Sequence, residues 1–321
     1  MKDFAGKVAV ITGAGGGLGL ALARAAAAQG MKLVLADVDA TALAEAVAAL
    51  QAQGATVLGV PTDVREPAQL EALAAATLQA YGAVHLLFNN AGVGAGGYVW
   101  ENSDNDWQWV WGVNVRGVVN GLRAFVPIML KQAEPAHIVN TASVAGLLAA
   151  PLLGLYNATK HAVIGLSETL YHDLKSTGAP VQCSVLCPAF FDTGIAESER
   201  TRPAELLNPG ALTASQRISN AQLRKAVKRG KLSADEVAQR CFAAIAREQF
   251  YILTHPAIQP AIELRLQDVA LQRNPTDSYT VPQRDAAALP QPRNAAAPQS
   301  RDAAVSAVPP TAAAAPAAPA D

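Results

Sequence analysis

Through its first 280 residues the chain alternates short, mostly apolar runs with alanine-rich segments of helical length. The runs at 7–12 (KVAVIT), 31–37 (MKLVLAD), 56–60, 85–89 (HLLFN), 137–141 (HIVNT), 181–187 (VQCSVLC) and 250–254 (FYILT) read as strands. Between them, residues 18–29, 41–53, 66–81, 104–131, 156–175 and 234–248 read as helices, the first three closed by Gly30, Gly54 and Gly82. Strands that are apolar on both faces need cover on both faces, and helical connections supply it. With right-handed crossovers the pattern predicts an α/β, doubly wound (Rossmann-type), mainly parallel sheet of about seven strands with helices on both faces. Ligands of such a sheet bind at the carboxyl ends of its strands. No internal repeat and no second core interrupts the pattern, so residues 1–280 are expected to form one domain.

Composition sets further limits. Residues 281–321 contain 16 Ala, 8 Pro and no aromatic residue. Proline breaks helices and alanine buries too little surface to offset chain entropy, so a disordered tail without catalytic role is expected there. The formal net charge of −1 argues against a protein built to neutralise phosphates, and no nucleic-acid partner is expected. The longest candidate for a membrane helix, residues 144–156, is short and broken by Gly146, Pro151 and Gly154. The apolar run at 8–11 ends too soon for a signal peptide. Cys183 and Cys187 lie four apart in a strand, roughly 13 Å at ~3.3 Å per residue, too far for a disulfide. His85, His137, His161, His172 and His255 show no metal-ligand spacing, so no metal is expected. The reading is a cytoplasmic protein with neither membrane nor metal.

Directly after the first run comes TGAGGGLG, residues 12–19, opening into a helix. Glycines there allow a tight turn and let the backbone approach a pyrophosphate, whose charge meets the helix N–H groups and dipole. A glycine run alone is only a turn signal, but its place between strand and helix makes Gly13, Gly17, Leu18 and Gly19 candidate cofactor contacts. Asp37 ends the second strand, 18 residues beyond Gly19. A carboxylate at that point accepts hydrogen bonds from ribose hydroxyls and repels a 2′-phosphate. Neither Val38 nor Gly16 supplies a base for such a phosphate, so NAD is expected over NADP. Asp63, followed by Val64, closes the third strand in the same layer, within reach of an adenine amino group; an ordinary turn-forming Asp is the alternative.

Ser143 lies just past the fifth strand, with Tyr156 and Lys160 on the next helix at a spacing that stacks them on one face. A phenol, with a reference pKa of about 10, acts as a base near neutrality only if its phenolate is stabilised, and an ammonium one turn away does that. Ser143 would hold the substrate oxygen beside the phenol. The arrangement suits moving a proton on or off oxygen while a hydride moves on or off carbon. Tyr171 and Lys175 repeat the spacing roughly 22 Å along the same helix, away from the strand ends, and Tyr171 is read as a packing or interface residue.

On these residues the sequence resembles the short-chain dehydrogenase/reductase family, its short single-domain branch, over roughly residues 4–255. The family's Thr-Gly-x-x-x-Gly-x-Gly loop corresponds to residues 12–19, and its Asn-Asn-Ala-Gly motif to Asn89, Asn90, Ala91 and Gly92. Its catalytic Ser, Tyr and Lys correspond to Ser143, Tyr156 and Lys160, the last two also touching the cofactor. Its Asn that holds a lysine-linked water corresponds to Asn114. The resemblance implies that Thr193 binds the nicotinamide carboxamide, although Ala189 stands where the family usually has glycine. It also implies a homodimer or homotetramer assembled through the helices at 104–131 and 156–175.

Residues 189–231 are expected to form a lid over the substrate. Phe190, Phe191 and Ile195 at its start, with Leu147, Leu148, Leu152, Leu153, Tyr98 and Trp100, suggest a pocket for a small apolar alcohol or ketone; lid-to-body packing explains them equally. Arg217, Arg224, Lys225, Lys228, Arg229 and Lys231 form a basic stripe that could attract a carboxylate, a coenzyme-A phosphate or a carrier protein, or simply be a solvated helix face. Trp107, Trp109 and Trp111 cannot share one helix face, so at least one is expected at a subunit contact. The reading is an NAD-dependent oxidoreductase interconverting a hydrophobic secondary alcohol and its ketone. The rivals are an NADP-linked reductase of carrier-bound 3-oxo substrates and a non-catalytic dinucleotide-binding regulator.

Overall fold

The computed structural model describes residues 1–277; the tail expected at 281–321 lies outside the described residues. Seven strands form one sheet: β1 (Val8–Thr12), β2 (Lys32–Asp37), β3 (Val57–Pro61), β4 (Leu86–Asn89), β5 (Ala136–Thr141), β6 (Val181–Cys187) and β7 (Tyr251–Leu253). Their order is β3-β2-β1-β4-β5-β6-β7, and each neighbouring pair is parallel. The order reverses between β1 and β4, and that switch point opens a crevice at the carboxyl ends.

Successive residues of each strand serve opposite cores. Ala9, Ile11, Leu33 and Leu35 pack on one side, against α1 (Gly17–Ala28), α2 (Ala40–Ala52) and α8 (Ala234–Ala246). Val10, Val34 and Ala36 pack on the other, against α3 (Pro67–Tyr81), α5 (Gly117–Gln132) and α6 (Gly154–Thr177). This two-sided burial is why the strands read as continuous apolar runs. Gly82 stops α3 in the left-handed region, at φ 77°.

Two features depart from the sequence reading. The long helix expected at 104–131 is divided into α4 (Asp104–Trp111), a π-helical turn (Gly112–Arg116) and α5. A further helix, α9 (Gln259–Ala270), follows β7 where none was expected. The segment expected as a lid, residues 189–231, contains two 3₁₀ turns, Gly194–Thr201 and Ala204–Leu206, and α7 (Ala214–Lys228). Cys183, Cys187 and Cys241 are free thiols in the core, where burial pushes Cys183 and Cys187 up to about 12. No helix among the described residues is long and apolar enough to cross a membrane.

Candidate active site

β1 ends at Thr12 and turns through Gly13 into α1. Gly13 has φ 66°, and a Cβ there would stand 2.8 Å from Ala91 Cα; at Gly19 a Cβ would overlap the Gly13 carbonyl. Glycine is therefore required for the loop to lie against residues 90–92. Thr12 fastens the two segments. Its Oγ1 donates to the Phe88 carbonyl (3.2 Å) and accepts the N–H groups of Asn90 (2.9 Å) and Ala91 (3.1 Å). Asn90 Nδ2 donates back to the Thr12 carbonyl at 3.0 Å. No side chain caps the N-terminus of α1, so its first N–H groups are offered to the cleft, the arrangement that suits a phosphate.

The cleft runs from this loop across the switch point. Gly13, Gly17, Leu18, Gly19, Asp37, Asp63, Val64, Asn90, Ala91, Gly92 and Thr193 all line it. Asp37 is fixed in place: its Oδ2 accepts the Gly15 N–H at 2.8 Å and its Oδ1 the Asp39 N–H at 3.0 Å. Asp63 lines the cleft with its side chain already paired. Arg65 grips its carboxylate, with Nη2 donating to Oδ2 at 2.7 Å, so that carboxylate is already partnered before any adenine arrives. The sequence reading missed Arg65, and it missed Arg200 of the lid, which lines the cleft and pairs with Asp39 at 2.7 Å. Nothing in the local sequence marks Arg200, which tertiary folding brings to Asp39. Arg65 lies two residues from Asp63, and that spacing is a signal that could have found it.

At the other end of the cleft stand Ser143, Tyr156 and Lys160. Ser143 follows β5 and caps the short turn Val144–Gly146, its Oγ accepting the Ala145 N–H at 3.1 Å and donating to the Pro188 carbonyl at 3.3 Å. Tyr156 and Lys160 lie in the first turns of α6, with Nζ 5.6 Å from the phenol ring centre. Lys160 is 3% exposed and donates to the Thr141 carbonyl at 2.9 Å. Burial pushes its pKa down to about 8, against the opposing field of the neighbouring Cys187. Tyr171 packs its ring on Phe250 at 5.2 Å, outside the cleft.

Asn114 sits in the π turn and does not line the cleft. Its Oδ1 accepts the Val93 N–H at 2.8 Å, and its Nδ2 donates to the Val93 carbonyl (2.9 Å) and Thr159 Oγ1 (3.1 Å). One amide hydrogen is committed to Val93 and the other to Thr159, so a water could meet Asn114 only through its remaining acceptor sites.

Of the expected substrate residues, Phe190, Phe191, Ile195 and Leu153 line the cleft, joined by Trp109, Leu223 and Val227. Tyr98 and Trp100 do not: they stack on each other at 4.6 Å, with Trp100 75% exposed. Leu148 is fully buried. Trp109 is 1% exposed and packs on the Arg202 guanidinium at 4.9 Å, which in turn pairs with the buried Asp106 at 2.8 Å. The six cations of the basic stripe are exposed.

Known proteins share this architecture. The short chain dehydrogenase family pattern matches residues 7–204. A short chain dehydrogenase/reductase from Burkholderia phymatum, solved in complex with NAD, is 62% identical with a TM-score of 0.86, covering 86% of this chain and 99% of that one. A CLA biosynthesis dehydrogenase/reductase of Lactiplantibacillus plantarum is 35% identical over 86% of this chain and 97% of its own length. A C alpha-dehydrogenase of Sphingobium sp. is 33% identical over 87% and 90%. The chain belongs to the short-chain dehydrogenase/reductase family, NAD(P)-dependent oxidoreductases acting on CH–OH groups.

Proposed function

We propose that this chain is an NAD-dependent dehydrogenase that interconverts an apolar secondary alcohol and its ketone, with Tyr156 as acid and base. The observation that carries the reading is the meeting of Ser143, Tyr156 and Lys160 in one cleft whose far end is a glycine loop with Asp37. Bound NAD supplies the hydride acceptor. The uncapped start of α1, with Gly13, Gly17, Leu18 and Gly19, suits the pyrophosphate, and Asp37 suits two unphosphorylated ribose hydroxyls. Val64, Asn90, Ala91 and Gly92 wall the adenosine and nicotinamide sides, and Thr193 is assigned to the carboxamide. The NAD complex of the Burkholderia phymatum relative agrees with this choice of cofactor.

Ser143 orients the substrate oxygen, and Tyr156 removes or returns its proton. The Lys160 ammonium favours the phenolate and, being buried, acts through little screening solvent. Asn114, fixed by Val93 and Thr159, is assigned to supporting a water linked to Lys160, the role the family resemblance implies. Phe190, Ile195, Leu223 and Trp109 exclude water around the reacting carbon and select an apolar partner.

The test is titration of the purified protein with NAD(H) and NADP(H), each with a panel of apolar secondary alcohols and ketones followed at the nicotinamide absorbance. The expected result is preference for NAD with turnover of members of the panel. Preference for NADP would sink the Asp37 argument and promote a biosynthetic reductase; tight NAD binding without turnover across the panel would promote a regulator.

A further inference from the structure

A second cavity of about 350 Å³ adjoins the catalytic cleft. Gly94, Ala95, Ile195 and Leu223 line both, so the two are neighbouring chambers with common walls. Ile195 and Leu223 both pack over Gly94. α7 passes both chambers on one face: Leu223 and Val227 meet the cleft, while Asn220, Leu223 and Arg224 meet the second chamber. The cleft end is apolar. The second chamber is rich in charged and amide groups, and most of these are already committed.

Arg202 lies between Asp106 (2.8 Å) and Glu199 (3.2 Å), and Arg200 reaches away to Asp39. Asn208 spans Ser103 and Asp106, and Gln216 closes the capping box of α7. Two groups remain. Asn220 makes no side-chain hydrogen bond among the described residues. Arg224 has only a long contact to Glu197, 3.9 Å, with both side chains more than half exposed. Such a pair contributes little and is readily exchanged. Asn220 and Arg224 are one helical turn apart and wall the same chamber, which places an amide donor and a guanidinium where one carboxylate can take both.

We infer that the second chamber is a carboxylate subsite, and that the substrate is an apolar secondary alcohol or ketone carrying a carboxylate remote from its reacting carbon. The inference rests on the dehydrogenase reading for what happens in the first chamber. The apolar stem lies against Ile195 and Leu223, and Arg224 and Asn220 take the anion. Glu197, exposed on the lid, turns to solvent when its contact is replaced; Glu199 stays on Arg202.

The test is binding, which does not depend on chemistry. The full-length protein with NAD is titrated calorimetrically with straight-chain carboxylic acids of increasing length and with the matching primary amides. Past a threshold length, the acid is expected to bind about tenfold more tightly than its amide, the scale of one partly solvated charge-assisted contact. Arg224→Gln should erase that preference with little change in amide binding, and Asn220→Leu should reduce it; both positions lie away from the reacting groups. Equal affinity for acid and amide at every length, or a preference that survives Arg224→Gln, overturns the subsite. Tyr156→Phe should leave the acid preference intact. Absence of alcohol oxidation alongside a retained preference would therefore count against the dehydrogenase reading and not against the subsite.

Discussion

Replacing Lys160 by methionine should make this protein more stable at neutral pH while disabling it. The lysine is 3% exposed, and burial lowers its pKa from the ordinary 10.5 to about 8. At ~1.36 kcal/mol per pH unit, holding the ammonium in that site costs folding about 3 kcal/mol wherever both folded and unfolded chains carry the proton, that is below pH 8. Between pH 8 and 10.5 the folded chain sheds the proton first, so this cost fades and stability rises with pH through that window. Methionine fills similar space without the charge, but it leaves the Thr141 carbonyl without its 2.9 Å donor, a loss of about 1–2 kcal/mol. The net expectation is a gain of about 1–2 kcal/mol at pH 7, shrinking toward zero or reversing by pH 10.5. The assay is urea unfolding of both proteins, followed by tryptophan fluorescence at a series of pH values. Above pH 9 the raised thiols of Cys183, Cys187 and Cys241 lower stability as pH rises, since the unfolded chain ionises them first. Cys183 and Cys241 cancel in the difference, and Cys187, which feels the charge of Lys160, cancels while its thiol stays protonated in both folded proteins. A variant less stable than the parent at pH 7, or a stability difference that does not change between pH 8 and 10.5, would refute the reasoning.

Three further perturbations probe the frame around the site. Gly19→Ala places a methyl on the Gly13 carbonyl and should cost at least tenfold in NAD affinity, read by fluorescence titration, with the far-ultraviolet spectrum unchanged. Asp37→Asn keeps an acceptor for the Gly15 N–H but removes the charge, so NADP binding should improve about tenfold or more and the NAD preference narrow, as competition titrations would measure. Arg202→Met leaves Asp106, 2% exposed, without its cation and should destabilise by about 3–5 kcal/mol, with thermal unfolding as the readout and Asp106→Asn in the same chain as partial rescue.

What the sequence made legible follows from locality. Strands such as 7–12 announce themselves because both faces are buried, and the glycine loop because a Cβ at Gly13 or Gly19 meets backbone. Ser143, Tyr156 and Lys160 were separable from the decoy Tyr171 and Lys175 because only the first set adjoins a strand end, and Tyr171 indeed packs on Phe250. The π turn was hidden because residues 112–116 carry an ordinary helical pattern; the bonds from Asn114 to Val93 and Thr159 are tertiary. Tyr98 and Trp100 misled for the opposite reason: aromatic residues near a site suggested a pocket wall, and they stack on each other in solvent. Arg200 and the second chamber depend on where the segment around 194–224 lies, which spacing along the chain does not encode. Arg65, by contrast, stands two residues from its partner Asp63 and could have been read locally. α9 escaped notice because its exposed Leu266 and Val269 blur any apolar stripe.

The central claim is that Tyr156 moves the proton, in a site whose cofactor is held mainly by the glycine loop and Asp37. The direct measurement compares the parent protein with Tyr156→Phe, using an apolar secondary alcohol that the parent oxidises and recording NAD affinity alongside turnover. The account predicts a loss of kcat of at least ~10³-fold, within the range for removing a positioned acid and base, with the NAD dissociation constant changed less than about threefold. A phenylalanine variant that retains more than a tenth of the parent kcat would contradict it.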